Sequence, residues 1–153
     1  MAATASVTHI KDNTSLVMVD FDPDATGATI VDLDKATGGE GVTIAGYRHF
    51  LAGLFRSVGT GSVTAFEIVA DTDDDMATTP TIVVSHAIGS APNAVGDTIW
   101  LECDAEQIHE VLAGATHVGV RVNLVTATDE CAIFFGRFNA FNPRRALTAD
   151  YIS

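Results

Sequence analysis

The feature that most constrains this chain is the repeated return of short apolar runs rich in Val, Ile and Phe, each closed off by Gly, Asp, Asn or Pro. That spacing belongs to short strands joined by turns. In HVGVRVNLV, Val118, Val120, Val122 and Leu124 fall on one side, and His117, Gly119, Arg121 and Asn123 on the other. A period of two is the signature of a strand with one buried and one wetter face. DTIWLEC repeats it, with Ile99, Leu101 and Cys103 opposed to Thr98, Trp100 and Glu102.

Eight such strands are expected, over 16–21, 28–33, 42–52, 62–70, 80–88, 95–103, 117–126 and 131–139. The fold class is therefore mainly β: an eight-stranded antiparallel sandwich of jelly-roll type. The third strand loses its alternation around Gly46, where a missing side chain permits a bulge or bend. One short helix is expected at about 104–113, between two late strands. Asp104 is its cap, Gln107 stands at the capping-box position, Cys103 can staple on Ile108, and Gly114 supplies a left-handed stop. The organisation reads as an N-terminal segment 1–14, a sandwich domain 15–142 and a C-terminal arm 143–153.

At 153 residues, a single domain with a real core is expected. Apolar residues make up 47% and charged ones only 18%, so some apolar surface is available for a partner. Eight basic against twenty acidic residues give a net charge of −12, which argues against nucleic acid and anionic lipid as partners. The excess is uneven. Residues 1–136 hold five basic and nineteen acidic groups, whereas 137–153 hold three basic and one acidic. No apolar stretch reaches the length of a signal peptide core or a membrane span, so a soluble, unexported protein is expected. Cys103 and Cys131 match no CxxC spacing; two buried thiols are the first reading and a single disulfide the alternative.

The chemistry-bearing residues do not assemble into a known motif. DFDPDATG sets Asp20, Asp22 and Asp24 at alternate positions like a calcium loop, but Ala25 stands where glycine is needed and Val31 where an acid is needed. DTDDD fails in the same way, at Met76 and Ile82. His9, His49, His86, His109 and His117 form no HxH or HExxH, and no GxSxG elbow or P-loop is present. No catalytic residue, metal ligand or cofactor is assigned, and the chain is expected not to be an enzyme.

Arginine use is more informative. Arg48, Arg56, Arg121 and Arg137 lie in or beside apolar strands, with Glu67 and Glu102 as possible partners, either across the surface or across a subunit contact. The end of the chain, FGRFNAFNPRRALTADYIS, keeps apolar residues after Pro143 has stopped the last strand. Arg137, Arg144, Arg145, Leu147, Tyr151 and Ile152 are therefore the candidate partner-contact residues of an arm that docks on a neighbour. Packing of that arm on its own domain is the alternative.

The order DTIWLECDAEQI, HVGVRVN, TATDE, ALTADYIS over roughly residues 95–153 resembles the small auxiliary virion proteins of tailed bacteriophages, the capsid decoration or cement proteins. The resemblance implies a non-enzymatic structural protein on the outer capsid surface, made in the host cytoplasm. It would bind the major capsid protein and stabilise the shell, usually as a homotrimer. A carbohydrate-binding sandwich with Trp100, Tyr47 or Tyr151 as stacking platform is the second expectation. A metal-dependent hydrolase, built from converging aspartate loops, is the third.

Overall fold

The computed structural model describes residues 14–21, 27–34, 40–58, 63–77, 80–87, 95–124, 130–139 and 150–152. Among the described residues there are ten strands: β1 (Thr14–Phe21), β2 (Gly27–Ile30), β3 (Val42–Thr43), β4 (His49–Val58), β5 (Val63–Asp71), β6 (Thr81–Ala87), β7 (Thr98–Asp104), β8 (His117–Leu124), β9 (Glu130–Phe138) and β10 (Asp150–Ile152). A helix, α1 (Ala105–Val111), links β7 to β8. Sheet A runs β1-β9-β4-β7-β10 and sheet B runs β2-β8-β5-β6, with β3 also on β8. All pairings are antiparallel.

The eight longer strands pair first with last: β1 with β9, β2 with β8, β4 with β7 and β5 with β6. A long hairpin wound on itself gives that order, which is the jelly roll the strand count allowed. Winding brings both sheets' inner faces together around Val19, Phe50, Leu54, Phe66, Ile68, Ile99, Leu101, Val120, Ile133 and Phe135. The alternation read in HVGVRVNLV is realised: Val118, Val120 and Val122 are fully buried, and Arg121 and Asn123 half-buried.

The expected third strand, 42–52, is instead two strands in different sheets. Val42–Thr43 pairs on β8 in sheet B, and β4 begins at His49 in sheet A. The crossing is a tight turn in which the Tyr47 N–H donates to the Ile44 carbonyl at 3.1 Å and Gly46 takes φ +84°. A positive φ at that place in a turn requires glycine or asparagine, so the lost alternation marked a change of sheet and not a bulge.

At α1 the capping box forms as expected. The Gln107 N–H donates to the Asp104 carboxylate at 2.9 Å, and the Asp104 N–H donates to the Gln107 side-chain oxygen at 2.9 Å. Ile108 is buried in the same core as Cys103. The stop differs from expectation: Leu112 is the C-cap in extended geometry, its N–H donating to the Ile108 carbonyl, and no left-handed glycine ends the helix. Asp104→Ala should cost about 1 kcal/mol, read as a lower denaturation midpoint with an unchanged slope.

The two cysteines are buried and are not joined in a disulfide. On β4, Phe50 faces Cys103 and Arg56 faces Cys131, which sets the two about 20 Å apart along the strand. That separation is far beyond disulfide reach, so the disulfide alternative falls. Burial first, then the neighbouring Asp104 and Glu102 carboxylates, push the Cys103 thiol far up, which leaves it an inert apolar side chain.

Candidate functional site

The two outer faces of the sandwich are chemically unlike. On sheet B, the Arg121 guanidinium pairs with Glu67, its register partner, at 2.5 Å, and the Ser85 hydroxyl donates to the same carboxylate at 3.2 Å. Of the two relationships the sequence left open for these arginines, this one is a cross-strand pair within the chain. The acidic loop 71–77 folds over the same face. Met76, at φ +50° and 3% exposed, lays its side chain against Gly119 and Gly41, where any Cβ would collide with it or press on it.

Three of the loop's four aspartates are turned to its own backbone. Asp71 accepts from the Thr72 N–H at 2.6 Å, Asp73 from the Asp74 N–H at 2.9 Å and Asp75 from the Ala77 N–H at 3.0 Å. Such bonds shape the loop. Among the described residues, no three His, Cys, Asp or Glu side chains are arranged to hold a metal ion. Asp22 and Asp24 lie outside the described residues. Burial, followed by the nearby Asp32 and Asp75 carboxylates, raises the Glu40 pKa above the ordinary glutamate range. This flank is a concentration of negative charge.

The outer face of sheet A has an apolar centre, with charged positions such as Asp20, Glu102 and Asp150 around it. Register places Met18, Phe134, Gly53 and Trp100 in one row across four strands, with Asp150 at the far edge. The next row holds Ala132, Phe55 and Thr98, and the row on the other side Gly136, Leu51 and Glu102. Met18 is 74% exposed and Phe55 46%, while Leu51, Trp100 and Phe134 are half-buried.

Gly53 organises the row. A Cβ built there would lie 2.7 and 2.8 Å from two carbons of the Trp100 six-membered ring and closer still to the carbon between them. A ring approaching edge-on would leave the flanking carbons much farther away than the central one. The indole therefore lies face-down on the glycine. Phe134 meets it edge to face, centroids 5.6 Å apart and planes at 63°, a favoured geometry for two aromatic quadrupoles. An aromatic platform is the result, with Met18, Phe55 and Leu51 at neighbouring positions of the same face and Glu102 at the next same-face position of β7.

Among the residues expected to meet a partner, Arg137 is described through its side chain. It is used inside the domain: its Nη1 donates to the Thr43 carbonyl at 3.1 Å, and its guanidinium lies 4.6 Å from the Tyr47 ring centroid. This clip ties β9 to β3 and occupies Tyr47, which is thereby no free sugar platform. Arg144, Arg145 and Leu147 lie outside the described residues. Tyr151 and Ile152 are in β10, which pairs with Ile99 and Thr98 of the same chain. Residues 150–152 of the arm expected to reach a neighbour are thus an edge strand of its own sheet, in line with the alternative the sequence had left open.

Arg56 is the least expected of the four strand arginines, with its side chain wholly buried on the core side of β4. Its N–H donates to the Asp97 carbonyl at 3.0 Å, and its carbonyl accepts from the Gly96 N–H at 2.9 Å. The sequence reading named Trp100 but missed Gly53, Phe134 and Met18. The available signal was a glycine in the middle of the apolar strand FLAGLF, a position that marks close approach of another group.

No helix among the described residues is long and apolar enough to cross a membrane. No protein-family model matches the chain, and no curated protein matches it in sequence. Among solved structures it is similar to one reported under the words "Bacillus endospore appendages form a novel family of disulfide-linked pili", at 14% identity and a TM-score of 0.43, over 83% of this chain and 88% of that one.

Proposed function

We propose that this protein is a non-enzymatic structural component of a tailed-phage virion, decorating the capsid and stabilising it by binding coat subunits as a homo-oligomer. The observation that carries the binding part is the asymmetry of the sandwich: one outer face has an apolar platform with Met18 and Phe55 exposed, while the other, which exposes Ile82 at its β6 edge, carries an ion pair, a methionine latch and an acidic loop. A subunit that lies on a larger protein surface needs one adhesive side and one well-hydrated side. The capsid as that surface rests on the sequence resemblance over residues 95–153.

The test is co-sedimentation with capsid particles. Phe55→Asp puts a charge on the platform at an exposed position, so the fold should survive while particle binding falls by about tenfold or more. Unchanged binding by a folded Phe55→Asp protein would remove the platform from the docking face.

A second reading, carbohydrate binding, is favoured by one observation: the Trp100 ring lies flat on Gly53 in an outer face of the sandwich, and a flat ring is what stacking on a sugar uses. A glycan array comparing the native chain with Trp100→Ala separates the two readings. Sugar binding lost with Trp100 supports the second; no sugar binding by the native chain ends it.

A further inference from the structure

Open sheet edges are templates for further strands, and natural proteins blunt them. Among the described residues, most edges of this sandwich are blunted. β10 has three residues, β2 four and β3 two. β6 is longer, but its register with β5 shifts between Ile68 and Val69, and α1 packs against it.

The remaining edge, β1, is different. Its eight residues, TSLVMVDF, pair with β9 in unbroken register from Thr14 to Phe21. It contains no Pro, Lys or Arg and a single charge, Asp20. Met18, in its middle, is the most exposed large apolar side chain among the described residues. Nothing in the strand discourages pairing, and an apolar side chain stands at the edge where a partner strand would cover it.

We propose that β1 pairs antiparallel with β1 of a second copy, across a two-fold axis through Val17, joining two five-stranded sheets A into one continuous sheet. A second copy is the occupant because the strand is complementary to itself. Facing residues of an antiparallel pair project to the same side, so a two-fold axis must pass through a residue and not between two. With the axis at Val17, Leu16 stands opposite the partner's Met18, Ser15 opposite the partner's Val19, and Thr14 opposite the partner's Asp20. Apolar positions meet on the platform side, and no like charges face each other. An axis through Met18 would set Leu16 against Asp20 and loses this match. The pairing also brings the two Met18–Phe134–Trp100 rows side by side, offset by one same-face position because Met18 meets the partner's Leu16, and so extends the platform across the axis. It does not depend on what that platform binds.

The test is the mass of the full chain in solution, by light scattering after gel filtration, together with amide hydrogen exchange. The native chain should run at twice its 16.0 kDa mass, with β1 amides that lose protection on dilution. Met18→Lys, at a mostly exposed position, should leave the far-ultraviolet spectrum and melting point unchanged and weaken association by about tenfold or more; Met18→Leu should remain dimeric. A monomer at all concentrations, a trimer, or a dimer indifferent to Met18→Lys with unprotected β1 amides would overturn the proposal. So would a monomer whose β1 amides are protected, since the edge would then be covered from within the chain. Capsid co-sedimentation, read on Phe55→Asp two strands away, fails or succeeds independently of these outcomes.

Discussion

Phe135→Ala should lower the unfolding free energy by about 3–5 kcal/mol, a large part of the 5–15 kcal/mol typical of a domain. Phe135 is fully buried on the inner side of β9, and its ring is stacked on Phe50 of β4 with centroids 6.4 Å apart and planes at 27°. Its register partner is Ala52, whose small side chain leaves the room the ring fills. Truncation removes apolar area from burial and leaves a cavity that two hydrogen-bonded sheets cannot collapse to fill. Guanidinium titration should show the midpoint falling while the slope is kept. The adjacent Phe134→Ala, on the half-buried outer side, should cost clearly less. Equal losses at the two positions would contradict the assignment of faces on β9.

Gly53→Val should cost about 3 kcal/mol, the upper end of the range for overpacking, and should also dismantle the platform. The ring of Trp100 occupies the space a side chain at 53 needs, and Gly53 is itself buried between β7 and β9. Either the indole lifts off the sheet or the strands part. Trp100 is the single tryptophan, so its emission and near-ultraviolet dichroism report the site directly: a red shift and loss of dichroic signal are expected. Adding Trp100→Ala to Gly53→Val should restore part of the stability, a non-additivity that marks direct contact. Full additivity, or an unchanged tryptophan spectrum in Gly53→Val, would mean that the ring does not rest on residue 53.

The contrast between these two sites separates what is local from what is not. Alternation in HVGVRVNLV and DTIWLEC and the capping box at Asp104 and Gln107 were legible because each depends on residues within a few positions of one another. So were the sandwich class and the short helix between β7 and β8. The break of alternation near Gly46 was legible too, but its meaning was not. A glycine at φ +84° serves a bulge or a turn between sheets equally well, and only the pairing of Val42 with Val118 decides which.

The partner-contact residues were read from composition at the chain end, where Arg and apolar residues stand close together after a proline. Composition does not say what those residues touch. Arg137 reaches back across the domain to Thr43 and Tyr47, and residues 150–152 return to β7. Both are contacts between segments far apart in the chain, so no local pattern announces them. The same holds for the platform: Met18, Gly53, Trp100 and Phe134 come from four strands, and only register aligns them in one row.

The short, turn-bounded apolar runs therefore determined the element type and the inner face of most strands, because a period of two is a property of the backbone itself. They determined too that the sequence holds more apolar residues than charged ones, which foreshadowed an apolar outer surface without placing it. Tertiary structure alone decided the order of strands, the splitting of 42–58 between two sheets, the separation of the cysteines and the position of the platform. Each of these is set by which distant strand forms hydrogen bonds with which, a choice made by the simultaneous burial of two sheet faces that no single segment contains.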